Sequence, residues 1–215
     1  MKRTIFIGDV HGCYEELMEL LESLKVSFSN DRLILLGDLV HKGPASAEVL
    51  NFVMAHQLET ILGNHDNFFL NALKNDIKPY SEFERIMPFI NTNKEKLINW
   101  FLSCPLILED KNWIAIHGGI DPQGLVLKNV DKEILLNLRY WNTAKNKPVL
   151  TNGHKEVKKN WQPWYECLNK EIYLNKKIFY GHWAKVDVQY HGNGKIIGLD
   201  TGCCYGGKLS GYIVE

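Results

Sequence analysis

Asp9 and His11 lie in the segment Gly-Asp-Val-His-Gly, residues 8–12, directly after the apolar run of residues 4–7. The apolar run predicts a buried strand, and side chains two residues apart point the same way in extended backbone. A carboxylate and an imidazole are thereby placed at the carboxyl end of a strand, a common position for α/β active sites. Taken alone, the segment is equally compatible with a turn whose aspartate caps a helix.

The same order of apolar run, glycine and polar side chain recurs at two later places, where the polar residues are Asp38, Asn64 and His65. Hydrophobic spacing predicts helices between the three runs, at residues 13–25 and 46–57. Strands joined by such helices are expected to be parallel, with right-handed crossovers. We therefore expect all these polar groups to lie along one edge of one sheet.

Two further apolar runs, residues 113–116 and 178–180, lead to His117 and His182. Six groups at predicted strand ends then have the chemistry of metal ligands: Asp9, His11, Asp38, Asn64, His117 and His182. Mixed carboxylate, imidazole and amide oxygen donors suit manganese, iron or zinc better than calcium. Six ligands suit two ions that share a bridging carboxylate and lie roughly 3.5–4 Å apart. Asp38 is the expected bridge because it lies between the other two strand ends.

Periodicity predicts the remaining elements of one domain, residues 1–215, in which Ser46 caps the second helix. Helices are predicted up to residue 74, within 75–103 and over 131–140, and residues 106–108 and 113–116 are expected to pair about a turn. Short strands at 186–188, 196–199 and 209–213 are expected to form a second sheet. The polar, tryptophan-containing segment 142–176 is interpreted as an insert or cap.

Composition excludes several classes of function. The 25 basic and 25 acidic residues give a formal net charge of 0, so no basic excess indicates a nucleic acid partner. No apolar run approaches the roughly 20 residues of a membrane helix, so no membrane partner is expected. The five cysteines are odd in number and contain no Cys-x-x-Cys pair, which favours reduced thiols and a cytoplasmic location.

Together the segments Gly-Asp-Val-His-Gly, Gly-Asp-Leu-Val-His-Lys-Gly, Gly-Asn-His-Asp, His-Gly-Gly and Gly-His resemble those of the calcineurin-like metallophosphoesterases of the phosphoprotein-phosphatase type. The resemblance extends over residues 4–214 and implies an α/β fold, an α-β-β-α sandwich of two mixed sheets flanked by helices. Residues 37–44, 181–184 and 199–207 resemble the bacterial symmetrical diadenosine tetraphosphatases. The compact length and residues 138–142 are more similar to small bacterial and phage serine/threonine phosphatases.

The resemblance also implies a role for each matching residue. One ion would be held by Asp9, His11 and Asp38, and the other by Asp38, Asn64, His117 and His182. Both are expected to be divalent, with Mn²⁺ first and iron, zinc, cobalt or nickel as alternatives. His65 matches the general acid of the family. Lys42 stands where these families usually have a phosphate-binding arginine, and it lacks the bidentate fork that Arg139 could supply instead.

His41 stands where eukaryotic-type phosphatases have an aspartate that orients the catalytic histidine and raises its pKa. We expect His41 to do neither. A leaving nucleotide phosphate has a second pKa of about 6 and needs little protonation, whereas a serine alkoxide needs a proton. This departure therefore favours phosphoanhydride substrates over phosphoserine.

The sequence thus predicts a dinuclear metal-dependent phosphohydrolase that splits dinucleoside polyphosphates, diadenosine tetraphosphate giving two ADP. A hydroxide bridging the two ions would attack phosphorus in line. Two alternatives stay open: a phosphatase acting on phosphoproteins or small phosphomonoesters, and a non-catalytic binding protein with the same fold. An adenine could stack on aromatic residues that otherwise serve packing, namely Tyr140, Trp141, Trp161, Trp164 and Trp183.

Overall fold

The computed structural model describes residues 3–77, 83–123, 130–150, 157–169 and 175–215. Its helices and strands, in chain order, are β1 (Thr4–Ile7), α1 (Tyr14–Ser23), β2 (Arg32–Leu35), α2 (Ser46–Ala55), β3 (Glu59–Thr60), α3 (Asn64–Lys74), α4 (Phe83–Ser103), β4 (Ile107–Glu109), β5 (Trp113–Ile116), α5 (Lys132–Asn137), β6 (Tyr140–Asn142), β7 (Lys147–Val149), β8 (Trp161–Pro163), β9 (Lys177–Tyr180), β10 (Gln189–His191), β11 (Ile196–Gly198) and β12 (Gly211–Val214). No helix in these ranges is long and apolar enough to cross a bilayer.

The first sheet has the strand order β12-β1-β2-β3. Strands β1, β2 and β3 are parallel, as the intervening helices α1 and α2 predict. The expectation that residues 209–213 join the second sheet is wrong, because β12 pairs antiparallel with β1, with Val214 opposite Thr4. The alternation of β12 fits this position, since Tyr212 packs between the two sheets while Ile213 packs on the helix side.

The second sheet has the order β10-β11-β9-β5-β4, with β5, β9 and β11 parallel. Strands β4 and β5 form the expected antiparallel pair. The strand predicted at residues 186–188 begins later in the chain, at Gln189 of β10, which pairs with Gly198 of β11. Val186 is 89% exposed and lies before β10, so its apolar side chain does not mark a buried strand position.

The two sheets pack face to face, and helices cover both outer faces, so the expected α-β-β-α sandwich is confirmed. Alternation along β1 places Phe6 between the sheets, where its ring stacks on Phe179 with the centroids 3.9 Å apart. Ile5 and Ile7 point the other way, into the cluster with the helices α1 to α4. Each such fully buried side chain contributes roughly 1.5–3 kcal/mol.

The outer face of the second sheet packs on α5 and on part of the segment predicted as an insert or cap. Within the described residues of that region, β7, β6 and β8 form a small antiparallel sheet. Trp141 and Trp164 are 4% and 0% exposed and belong to the core on this side. Residues 151–156 and 170–174 of the predicted insert lie outside the described residues.

Candidate metal centre and active site

Asp38 lies at the centre of the six predicted metal ligands, in the loop after β2. Its Oδ2 is 3.4 Å from Nε2 of His11, and its Oδ1 is 3.4 Å from Nε2 of His117. The side chain is buried, and Oδ1 also accepts a 2.8 Å hydrogen bond from the backbone N–H of His65 at the start of α3. One carboxylate thus faces an imidazole from each sheet, as a bridging ligand would.

The remaining ligand candidates surround the second imidazole. Oδ1 of Asn64 lies 2.9 Å from both Nε2 of His117 and Nδ1 of His182. Asp9 is fixed by the backbone N–H of His182, which donates to both carboxylate oxygens at 2.9 and 3.1 Å. The donor atoms of Asp9, Asp38 and His117 all lie within 4.8 Å of one another, and those of His11, Asp38 and His65 form a second such group. Asp38 belongs to both groups.

The backbone at the strand ends is held in unusual conformations. His11, Asp38 and His182 have φ angles of 49°, 51° and 64°, in the left-handed region that residues other than glycine seldom occupy. Such positions cost free energy and persist where the surrounding structure requires them. Gly181 is constrained by contact, since a Cβ there would lie 2.0 Å from Oδ1 of Asp9. The packing of these loops therefore fixes the candidate ligand side chains.

Hydrogen bonds orient two of the imidazoles. Nδ1 of His11 donates to the carbonyl oxygen of Val40 at 3.1 Å, and Nδ1 of His117 donates to that of Leu36 at 2.7 Å. Each ring thereby turns Nε2 toward Asp38, and a backbone acceptor on the far nitrogen is the usual support of a metal-bound histidine. Burial lowers the pKa of His11 to about 4, so its ring is neutral and can donate a lone pair at neutral pH.

The charges of the buried groups favour a bound cation. Burial raises the pKa of Asp9 well above its usual value, and the neighbouring carboxylates Asp200 and Asp38 raise it further. The ammonium group of Lys42 points into this cluster, with Nζ 2.8 Å from Nε2 of His11. Crowded carboxylates, converging imidazole nitrogens and a side-chain cation already drawn toward them fit a site for divalent ions.

The sequence profile of calcineurin-like phosphoesterases matches residues 2–186, most of the chain. The chain belongs to the calcineurin-like phosphoesterase family. As a member it is a metal-dependent phosphoesterase, and the family implies a dinuclear metal site, which the two groups sharing Asp38 accommodate.

Curated relatives of this phosphoesterase include two named symmetrical bis(5'-nucleosyl)-tetraphosphatase. The one from Vibrio campbellii is 30% identical, with 96% of this chain and 93% of the relative aligned. The one from Coxiella burnetii is 32% identical, with 98% and 88% aligned. The crystal structure of a provisionally assigned diadenosine tetraphosphatase superposes with a TM-score of 0.79 at 26% identity, covering 99% of this chain and 89% of that chain. A cold-active protein tyrosine phosphatase of a Shewanella species has a TM-score of 0.69 at 20% identity, covering 100% and 76%, which shows the shared fold alone.

His65 of the phosphoesterase is oriented by His41, contrary to the expectation that His41 gives no support. Their Nδ1 atoms lie 2.6 Å apart. Ser46 fixes the loop that carries His41, since its Oγ accepts the His41 N–H at 3.1 Å, and the helix cap predicted for Ser46 is not formed. Burial lowers the pKa of His65 to about 3, and nearby Lys42 adds to this shift, so the ring is neutral in the free protein.

The two predicted phosphate-binding residues lie in different surroundings. Lys42 is beside His11, and its ammonium lies 5.0 Å from the ring centroid of Tyr205. Arg139 lies beside His182 at one end of the site. Its Nη2 donates a 2.9 Å hydrogen bond to the backbone carbonyl oxygen of His182. Nε of Arg139 is buried and has no hydrogen-bond partner in the described part of the chain. A substrate phosphate remains a candidate partner for both cations.

Asp66 connects two parts of the site. It caps α3, because Oδ2 accepts the N–H of Gly63 at 3.0 Å. Its Oδ1 also accepts the N–H of Leu39 at 2.9 Å, which ties the loop carrying Asp38 to the helix carrying His65. The position of Asp66, three residues after Gly63, is the sequence pattern that predicts the cap. The contact with Leu39 depends on tertiary structure and has no such pattern.

Two of the five aromatic residues considered for adenine stacking, Trp141 and Trp164, are core residues of this phosphoesterase. Trp183 and Tyr140 are half-buried next to His182, with ring centroids 4.8 Å apart. The ammonium group of Lys185 covers the Trp183 ring at 4.4 Å. Existing partners therefore occupy much of this aromatic surface.

Proposed function

We propose that this phosphoesterase hydrolyses dinucleoside polyphosphates and splits diadenosine tetraphosphate into two ADP. The observation that carries the proposal is the partner of His65: its Nδ1 meets an imidazole nitrogen of His41 at 2.6 Å rather than a carboxylate. A partner without negative charge does not raise the pKa of His65, so little of the ring is protonated at neutral pH, which suits leaving groups that need little protonation. Curated relatives that are 30–32% identical are named symmetrical bis(5'-nucleosyl)-tetraphosphatase, which supports the same substrate class.

The ligands proposed for the two ions are Asp9, His11, Asp38, Asn64, His117 and His182. When bound, the ions, Mn²⁺ first and iron, zinc, cobalt or nickel as alternatives, would supply an activated water and offset the charge that develops on the phosphate. The protein contributes the fixed orientation of these donors. His11 and His117 are held by backbone carbonyls, and Asp9 is held by the backbone N–H of His182.

His65 is assigned the proton transfer to the leaving oxygen. In the free protein burial keeps its ring neutral. A bound polyphosphate places negative charge beside the ring, which raises the pKa of the imidazole and lets it take up a proton with the substrate. The leaving group is then a nucleotide phosphate whose own second pKa is about 6, so a modest proton donor is sufficient.

Lys42 and Arg139 are assigned to the phosphate chain. Lys42 already lies within the ligand cluster, and Arg139 approaches from the His182 side. Lysine acts as a point charge without a fixed fork, so it can follow a chain of phosphates rather than hold one terminal group in a single orientation. Polyphosphate suits that arrangement better than a single terminal phosphate does.

Two further parts of the proposal concern the chain as a whole. We place the single domain at residues 1–215, with the small sheet of β6, β7 and β8 as its cap, since Tyr140 of β6 contacts Trp183 beside the site. We also place the protein in the cytoplasm, because all five cysteines are free thiols.

The test is a substrate panel with the manganese-loaded enzyme in which products are separated and identified. Diadenosine tetraphosphate should give two ADP, with a kcat/KM well above that for a phosphoserine peptide or p-nitrophenyl phosphate. AMP and ATP as products, or a preference for the phosphopeptide, would contradict the proposal. Two bound ions without turnover of any substrate would indicate a binding protein.

A further inference from the structure

A cleft of about 480 Å³ lies directly beside the proposed general acid. Its inner end is formed by His41, Asn64 and His65. Its walls come from α3 and α5, and they carry Asn67, Phe68, Asn71, Glu133 and Asn137. We refer to this space as the α3–α5 cleft. Its volume is within the range of small-molecule sites in proteins.

The walls of the α3–α5 cleft offer side-chain amides and one carboxylate, that of Glu133. Oδ1 of Asn67 is buried and has no hydrogen-bond partner among the described residues. The amide of Asn137 donates to Oε2 of Glu133 at 3.0 Å. Buried polar atoms are usually paired, so the free oxygen of Asn67 indicates a ligand that supplies a donor.

Phe68 adds a flat apolar surface to these amides and is 46% exposed. None of the described residues lining the cleft is lysine or arginine, so the cleft does not suit a second phosphate. Amides that offer a donor and an acceptor together match the edge of a nucleobase, as in asparagine–adenine pairs. An aromatic ring can stack on its face. The chemistry is that of a nucleoside site.

We propose that the α3–α5 cleft binds the nucleoside of the departing nucleotide. The inference rests on the proposed function, in which His65 passes a proton to the leaving oxygen. The leaving group must therefore lie on the His65 side of the reacting phosphorus, and the α3–α5 cleft is the space that His65 lines there. The base stacks on Phe68 and donates to the free oxygen of Asn67.

A second cavity, of about 420 Å³, has a different character and supports the choice of occupant. It is lined by Lys145, Lys147, Lys158 and Trp161 among others, and by none of the proposed catalytic or ligand residues. Positive charge there suits an anion, whereas the amides and the Glu133 carboxylate of the α3–α5 cleft suit the donors and acceptors of a base and a ribose. The two cavities therefore do not compete for the same part of a dinucleotide.

The experiment compares ADP with pyrophosphate as competitive inhibitors of p-nitrophenyl phosphate hydrolysis by the manganese-loaded enzyme. Both carry two linked phosphates but differ by one ionisable oxygen, so the nucleoside contact is read from the change of their affinity ratio between the wild type and the variants. We expect ADP to bind roughly tenfold more tightly, the value of one base–aromatic stack. Phe68→Ala should remove most of this ratio. Phe28→Ala is the matched control, because Phe28 is 47% exposed and stacks on His56 outside the site.

A second variant separates binding from a purely structural role. Asn67→Leu should reduce the same ratio without lowering the melting temperature, since it removes a buried, unpaired oxygen. A lower melting temperature with an unchanged ratio would assign Asn67 to packing and overturn the inference. Equal inhibition by ADP and pyrophosphate in the wild type would also overturn the inference. So would a Phe68→Ala variant that loses its turnover of the phosphopeptide and nothing else.

The proposed function and this inference fail in different ways. If the wild type does not split diadenosine tetraphosphate, the function fails whatever the cleft binds. If it gives two ADP but the Phe68→Ala ratio equals that of the wild type, the function stands and the nucleoside assignment is wrong.

Discussion

Nδ1 of His41 and Nδ1 of His65 lie 2.6 Å apart, so one ring must donate its proton to the other. The contact depends on a left-handed backbone at His41, whose φ is 76°, and on Ser46, which holds the His41 N–H. The pair fixes the orientation of His65 without placing a negative charge on it. Orientation and protonation of His65, the proposed general acid, are therefore separable in this protein.

The double variant His41→Asp/Lys42→Arg is expected to shift substrate preference toward phosphomonoesters. Aspartate would raise the pKa of His65, with a benefit that increases with the basicity of the leaving group. Arginine would hold a terminal phosphate through two parallel hydrogen bonds. We expect the kcat/KM ratio of a phosphoserine peptide to diadenosine tetraphosphate to increase by roughly tenfold or more at fixed manganese and pH. A ratio that stays constant, or moves toward the dinucleotide, would remove these two positions as determinants of specificity.

Asp38→Asn should reduce the bound metal below two ions per chain and lower turnover by at least about a hundredfold. The reason is position, since the carboxylate faces His11 on one side and His117 on the other. Elemental analysis and steady-state kinetics are the measurements, with circular dichroism to verify folding. Asp131→Asn is the control, because Asp131 caps α5 away from the ligands. Two ions and near-normal turnover in Asp38→Asn would contradict the bridging assignment.

Gly181→Ala should lose metal although it introduces no charge. The added methyl group would lie 2.0 Å from Oδ1 of Asp9 and must displace the carboxylate. We expect a loss of about 1–3 kcal/mol in the free energy of unfolding together with reduced metal content. Gly194→Ala provides the comparison, because a Cβ there would meet nothing within 4 Å, although the φ of Gly194 is positive, at 77°. It should cost about 1–2 kcal/mol from backbone strain and retain full metal content.

Metal affinity should increase with pH because His117 holds a proton in the metal-free protein. Its Nδ1 faces a backbone carbonyl and its Nε2 faces Asn64 and Asp38, so both nitrogens act as donors. Burial opposes this charge, but Asp38 outweighs it and raises the pKa to about 10. Below that pH an incoming ion must displace the proton, and the competition is strongest at low pH.

The expected slope of log Kd for Mn²⁺ against pH is about −1 between roughly pH 6 and 9, one proton released per ion at this ligand. Calorimetry of EDTA-treated protein in two buffers with different ionisation enthalpies would count the released protons. An affinity independent of pH would mean that His117 is already neutral before the ion binds.

The sequence was sufficient to bring the six candidate ligands together, because each follows a strand and parallel strands end at a common edge. Asp9, Asp38 and Asn64 could be assigned to that edge from the sequence alone. The partners of Ser46 and His41 could not, because both depend on left-handed backbone at His41 and Lys42, which residue identity does not predict. The α3–α5 cleft was also missed, since Asn67 and Glu133 are far apart in the chain and meet only after folding.

The pairing of β12 with β1 has a consequence for synthesis of the chain. About 200 residues separate Ile7 from Gly211, which lie opposite each other in the sheet. At translation rates of 5–20 residues per second, β1 leaves the ribosome roughly 10–40 s before its antiparallel partner. During that interval its outer edge has no permanent neighbour, and an unpaired strand edge can bind another chain. Nascent chains that stop before residue 211 should therefore aggregate on polysomes more readily than completed ones.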